Sequence, residues 1–481
     1  MNIDRHLVNV GKMHRVRNVH FVGIGGAGMS GIAEVIADSG YQVSGSDLKA
    51  SKVTRRLEGL GIEISIGHRA ENVAVADVVV VSSAIAAENP ELLAAREQRI
   101  PIVRRAEMLA ELMRFRKGIA VAGTHGKTTT TSLLAGILAE AGMDPTFVIG
   151  GLVNAFGSNA RLGQGEYLIA EADESDGSFL SLQPMMAVVT NIDNDHLEAY
   201  SGSFENLRQA FADFIHHLPF YGVAVLCIDN AEVRRLAKVV GRTVLTYGER
   251  QDADVRLENI QQQGSSMRFD VCFPDQQKLS AVQLNLPGIH NVINAVGAMA
   301  VAWELGVAVD DMAVALKDFT GIDRRFCKVG ELDISSGQVS VYEDYAHHPS
   351  ELAVTIAAAR KGWPDRRLVL VFQPHRYTRT EELFDQFASV LASADVLVVT
   401  DVYPAGEAPI EGADARCLCR AIRGRGLVDP VWIANVTDLG TQLPGILENG
   451  DLVLLMGAGD IGSVAAELRE GNSFSQPGDK L

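Results

Sequence analysis

One stretch, GIAVAGTHGKTTTTSLLAGILAEAG at residues 118–142, constrains the fold of this 481-residue chain more than any other. An apolar run ends in a turn of glycines, a lysine and threonines, and the turn opens directly into a helical pattern that stops at Gly142. A strand joined to a helix in this way lines up successive backbone N–H groups with the positive end of the helix, a cradle for phosphate. Gly123, Thr124, His125 and Gly126 form the turn, Lys127 adds a positive charge, Thr128 offers a hydroxyl to Mg2+, and Thr129 continues the helix. Val121 stands where the usual phosphate loop has its first glycine, so the loop is a variant. ATP is the ligand expected.

The same alternation of short apolar runs and helical stretches recurs along the chain. Strands are expected at VHFVGI (19–24), DVVVVS (77–82), YLIAEA (167–172), AVVTNI (187–192), RLVLVF (367–372), DVLVVT (395–400) and DLVLLM (451–456). That rhythm predicts parallel α/β sheets. At about 150 residues per domain the length favours three domains, placed at about 1–107, 108–321 and 322–481. Glycine turns after strands fall in all three thirds. A net charge of -17 argues against a nucleic-acid or anionic-membrane partner. Five cysteines, with no zinc spacing, read as reduced thiols, and no window suggests a signal peptide or membrane span, so a cytoplasmic protein is expected.

Two strand ends carry candidate metal ligands. Glu171 ends YLIAE and opens an acidic run, Ala-Asp-Glu-Ser-Asp, and His196 closes AVVTNIDNDH. Carboxylate and hydroxyl oxygens suit Mg2+ beside a phosphate loop, whereas His196 reads equally as a ligand and as a capping or core histidine. Asn291 and Asn294 lie one turn apart on one face of the helix expected at 288–306, where they either cap it or read an adenine edge. In the first third, Gly23, Gly25 and Gly28 form Gly-X-Gly-X-X-Gly after a strand, and Asp47 closes the next one. This turn holds a diphosphate, of a dinucleotide or of UDP alike. In the last third His375, Arg376 and Arg379 place three potential cations within five residues, enough to fix a carboxylate or phosphate. The GAGD turn at 457–460 reads as packing.

Taken in order, GIGGAGMSG, SGSD, GTHGKTTTT, EADESD, NIDNDHLE, HNVINA, DRRF, DYAHHPSE, QPHRYTRT and GAGD resemble the Mur ligase family, the amino-acid-adding enzymes of bacterial peptidoglycan synthesis, over about residues 18–465. The resemblance implies an N-terminal Rossmann-like domain for a UDP sugar, a central ATPase domain of P-loop type and a C-terminal Rossmann-like domain. It implies ligation of L-alanine to UDP-N-acetylmuramate with ATP and Mg2+, through an acyl phosphate, in a monomer or homodimer. Lys127 then matches the β/γ-phosphate contact, Thr128 and Glu171 one Mg2+, and His196 a second. His290 and Asn294 match the adenine side, Arg325 the phosphate-side arginine and Asp344 the ribose contact. His68, Ser82 and Ser83 join Gly25, Gly26 and Gly28 around UDP. Tyr345, His375, Arg376 and Arg379 fall on the amino-acid side. Later ligases of the pathway carry a carbamylated lysine after the counterpart of His196, and this chain has no lysine from 129 to 237. Rival readings are a murein tripeptide ligase, a dinucleotide-dependent oxidoreductase and a non-catalytic nucleotide-binding regulator.

Overall fold

The computed structural model describes residues 13, 15–82, 84–153, 158–195 and 197–471. Ser83 and His196, both expected site residues, lie outside the described residues. Among the described residues the chain forms three sheets, of five, ten and six strands, flanked by helices. This is the three-domain α/β architecture with Rossmann-like sheets.

The first sheet is wholly parallel and runs in the order Glu63–Ile66, Gln42–Asp47, Asn18–Val22, Val78–Val81, Ile102–Arg104. Strand order reverses beside Asn18–Val22, which places the glycine turn at a switch point where such sheets bind ligands. In the second sheet Lys117–Ala122 lies between Met186–Val189 and Tyr167–Glu171, parallel to both. Five of its six residues are buried, as expected of a strand covered on both faces. The helix that follows it, Lys127–Glu140, is buried along most of its length. The third sheet runs Cys327–Ile334, Gly337–Asp344, Leu452–Met456, Leu368–Phe372, Val396–Thr400, Val431–Ile433, and Cys327–Ile334 is its antiparallel strand.

Two compact units result. One comprises Met1–Asn259, Phe269–Val282 and Ile293–Thr320 and contains the first sheet and most of the second. The other comprises Ile260–Arg268, Gln283–Val292 and Gly321–Leu481 and contains the third. Within the first unit the helix Ala27–Asp38 packs on the strands Thr146–Val153 and Ser158–Arg161. Arg56 fastens the join, donating to Glu34 at 2.7 Å, Ser158 at 3.0 Å and Asn159 at 3.1 Å. The boundary expected at 107 falls inside the helix Arg105–Arg114, whose apolar face is buried in the same core.

Candidate active site

The phosphate turn is held from the neighbouring strand. At the end of Met186–Val189, Asn191 Oδ1 accepts from the His125 amide at 2.9 Å, and its Nδ2 donates to the His125 carbonyl at 2.9 Å. Thr190 donates to the same carbonyl at 2.6 Å, and the Thr124 hydroxyl accepts from the Asp193 amide at 2.9 Å. These bonds fix the loop before any ligand arrives, which lowers the entropy cost of binding. Gly126 has φ +83°, and a Cβ there would strike the Asn294 side chain. The turn therefore needs glycine at 126 for backbone conformation and for space. Asn294 is buried against the loop, whereas Asn291 Nδ2 donates to the Pro287 carbonyl at 2.8 Å, a bond local to the start of its helix.

Lys127 Nζ donates to the Gly123 carbonyl at 2.8 Å and to Glu174 Oε2 at 2.7 Å. Burial opposes the ammonium charge, but Glu174, Asp173 and Glu171 outweigh it and raise the Lys127 pKa. Glu174 is 1% exposed, and its other oxygen has no hydrogen-bond partner among the described residues. This residue was not among the expected ligands; its signal in the sequence was an ordinary place in an acidic run. Glu171 accepts from the Gly150 amide at 2.7 Å. Burial pushes its carboxyl up, against the opposing effects of the Gly150 amide, the Lys127 charge and the Thr128 hydroxyl. Burial would also raise Asp173, but Lys127 and Ser175 hold it below its ordinary value.

Thr128, in the first turn of the helix Lys127–Glu140, lies near enough to Glu171 for its hydroxyl to help hold that carboxyl down. Such a pair of hard oxygen donors fits Mg2+, which keeps several waters and phosphate oxygens of its own.

In the first sheet Gly23 has φ +79°, and Asp47 Oδ2 accepts from the Gly25 amide at 2.9 Å. Asp47 braces the glycine turn itself. His68 Nδ1 lies 2.9 Å from the Ser46 hydroxyl and 3.5 Å from Glu91. Glu91 is fully buried; desolvation would raise it, yet the nearby His20 imidazole, 3.6 Å away, and hydrogen bonds from Ser46 and Asn72 bring it down to about 2. A cavity of about 380 Å³ opens between this turn and the acidic strand end. Gly26, Gly28 and Ser82 line one side and Glu171, Asp173 and Asp176 another, with Arg105 among them.

The second unit gathers a separate cluster. Asp344 accepts from the Phe326 amide at 2.8 Å and the Ala346 amide at 2.7 Å. Desolvation raises its carboxyl to about 6 despite Arg325 and these amides. Read by resemblance as a ribose contact, Asp344 here positions the backbone that carries Arg325. His290 is pushed down to about 4 by burial and by Arg325. Tyr345 carries Arg324 and Arg325 over its ring at 4.8 and 5.4 Å and meets His347 at 5.3 Å, which meets His375 at 5.8 Å. Arg379 Nη1 lies 3.4 Å from His375 Nδ1. Arg376, at φ +69°, turns instead toward Glu407, 3.8 Å away.

Of the three cations expected in QPHRYTRT, His375 is not one. Burial, His347 and the two arginines lower its pKa to about 4, so the imidazole is neutral. GAGD also has more than a packing role. The Gly457 and Gly459 carbonyls accept from Arg324 Nη2 at 2.6 and 3.2 Å, and Asp460 accepts from the buried Gln373.

Residues 18–117 match the Mur ligase family catalytic domain, 121–302 the Mur ligase middle domain and 324–459 the Mur ligase glutamate ligase domain. The chain belongs to the Mur ligase family. It is accordingly an ATP-dependent ligase of the kind that builds peptidoglycan precursors. Among solved structures, the UDP-N-acetylmuramate-alanine ligase of Thermotoga maritima is 29% identical, with a TM-score of 0.79, over 94% of this chain and 98% of that one. The murein peptide ligase of Psychrobacter arcticus is 26% identical, with a TM-score of 0.68, over 95% and 98%. MurF from Acinetobacter baumannii, at 18% identity and a TM-score of 0.58 over 89% and 90%, shares the fold.

Proposed function

We propose that this ligase joins L-alanine to UDP-N-acetylmuramate, with domains at about 1–107, 108–321 and 322–481. The observation that carries this reading is the cavity between the Gly26–Gly28 turn and Glu171. A nucleotide sugar anchored at the turn points its acid toward the phosphate loop. In the reaction the carboxylate oxygen attacks the γ-phosphorus of ATP and ADP leaves. The alanine nitrogen then attacks the acyl carbon, loses a proton, and inorganic phosphate leaves as the amide forms. Thr128 and Glu171 would hold Mg2+, which supplies charge neutralisation at the phosphates.

Lys127 binds the β/γ-phosphates after giving up one of its present acceptors. Asn294 and His290 serve the adenine side, and Arg325, positioned by Asp344, the phosphate side. His68 and Ser82 serve UDP. On the amino-acid side, neutral His375, Tyr345 and Arg379 form a compact set in which the arginine fork holds the alanine carboxylate. The greater likeness to the Thermotoga maritima enzyme than to the murein peptide ligase favours alanine over a peptide.

The test is phosphate release from ATP and UDP-N-acetylmuramate with alanine, glycine, serine or the recycled tripeptide added in turn. Alanine should give the highest kcat/KM. Release driven only by the tripeptide would replace this reading with the peptide ligase. In a melting assay UDP-N-acetylmuramate should protect the protein, by about 2.7 kcal/mol at a hundredfold excess over Kd, and NAD should not.

A further inference from the structure

Among the described residues Arg105 is the one cation lining the 380 Å³ cavity, whose other charged lining groups are Glu171, Asp173 and Asp176. It opens the helix Arg105–Arg114, and its guanidinium lies over the backbone of Gly28, where a Cβ would approach Nη1 to 2.7 Å. Glycine at 28 leaves the space that the guanidinium occupies. An arginine presents five N–H donors in a planar fork. None of them makes a hydrogen bond within the described residues, and the nearest charge is Asp173 at 3.5 Å from Nη2. By contrast, Arg56 in the same unit donates to three acceptors at 2.7–3.1 Å. Arg105 is also partly open, with 27% of its side chain exposed.

A guanidinium with unused donors in a half-open cavity is poised for a bidentate anion. We infer that Arg105 binds the diphosphate of the nucleotide sugar, a role that rests on the function proposed above. Position decides between the two anionic groups such a substrate carries. Gly28 is the second residue of the helix Ala27–Asp38, whose N-terminus has no side-chain cap and no acid in its first turn. The helix dipole and the arginine therefore act on the same spot. The substrate's carboxylate belongs nearer Glu171 and Thr128, at the phosphate loop. On binding, the fork exchanges the long contact with Asp173 for phosphate oxygens.

The experiment measures calorimetric binding of UDP, UDP-N-acetylglucosamine and UDP-N-acetylmuramate to the full-length wild type, Arg105→Lys and Arg105→Gln. Loss of a charged, bidentate contact should weaken all three ligands by about tenfold or more in the Gln variant and by less in the Lys variant. The KM for ATP should stay near the wild-type value. The salt dependence of UDP binding should flatten in Arg105→Gln, a readout that a purely packing role would not move. A loss confined to UDP-N-acetylmuramate would overturn the assignment by placing Arg105 on the carboxylate. Unchanged affinity for all three in both variants would overturn it outright. Failure of the wild type to bind any of the three would instead overturn the proposed function.

Discussion

Lys127 Nζ and Glu174 Oε2 are 2.7 Å apart, and the carboxylate that holds the lysine is 1% exposed. The central cation of the phosphate loop is therefore part of a buried ion pair, and its partner retains one oxygen without a hydrogen bond among the described residues. Tyr200 secures the same segment by donating to the Glu174 carbonyl at 2.5 Å. A Glu174 carboxylate left behind there loses its ion-pair partner at 1% exposure, and a Lys127 ammonium left behind keeps only the longer-range attraction of Asp173 and Glu171.

Removing one member of this pair should therefore destabilise more than removing both. Breaking a buried pair from one side costs on the order of 3 kcal/mol. Glu174→Ala and Lys127→Ala should each approach that loss, and the double variant should fall well short of their sum. Denaturant unfolding of the four proteins measures the coupling. Additive losses would show that the pair carries no interaction. In activity, Glu171→Ala should raise the Mg2+ requirement more than Glu174→Ala, because Glu171 lies beside Thr128 and lines the cavity while Glu174 is bonded to the lysine.

Lys127→Ala should also separate the two substrates. Lys127 does not line the cavity beside the Gly26–Gly28 turn. Ligation should fall on the order of a hundredfold or more, as when electrostatic stabilisation of a transferring phosphoryl group is removed. UDP-N-acetylmuramate binding by calorimetry should stay near the wild-type value. Near-normal turnover in this variant would refute the role given to the lysine.

The pH dependence of stability follows from two histidines of the second unit. His290 and His375 are both pushed down to about 4, chiefly by burial. From about pH 6.5 down to about pH 4 the unfolded chain takes up protons that these folded imidazoles refuse, so stability falls as pH falls through that window. Asp344 acts in the opposite sense below about 6, because its folded carboxyl accepts a proton before the unfolded one does. Two groups against one leave a net acid-side loss from this set. His375→Asn should flatten it, as measured by unfolding midpoints at pH 7, 6 and 5. Parallel curves for wild type and variant would contradict the burial argument.

The elements of the fold that could be read from sequence share one property. Strands such as Lys117–Ala122 and Leu368–Phe372 are buried on both faces, so composition alone marks them as continuous apolar runs. Val255–Gln263, written VRLENIQQQ, and Cys327–Ile334, written CKVGELDI, alternate between buried and exposed residues and carry charge, so they did not stand out. At the site, Lys127, Thr128 and Glu171 were legible because their chemistry depends on local spacing after a strand. Glu174, Asn191, Arg105 and His347 were not, because each acts on a residue at least 28 positions away. Asp47 and Asp344 stood at the expected strand ends, but their carboxylates face backbone amides. No sequence pattern announces that bracing role.

The two arginines of QPHRYTRT should differ although they lie three residues apart. Arg379 approaches His375, whose ring stacks on Tyr403 at 5.4 Å and meets His347, so its fork belongs to the aromatic cluster with Tyr345. Arg376 is about half exposed and turns toward Glu407, which the Thr378 hydroxyl and amide already hold. A carboxylate held by the cluster would meet the planar donors of Arg379, and lysine cannot reproduce that fork. Arg379→Lys should therefore raise the KM for alanine or lower kcat by about tenfold, the effect of losing roughly 1.4 kcal/mol of transition-state binding. Arg376→Lys should change either by less than about threefold, the scale of a solvent-exposed ion pair. The KM for ATP should move little in both. Steady-state kinetics with alanine varied at saturating ATP decide the matter: an alanine term unchanged in Arg379→Lys, with a shifted ATP term, would assign this arginine to the nucleotide instead.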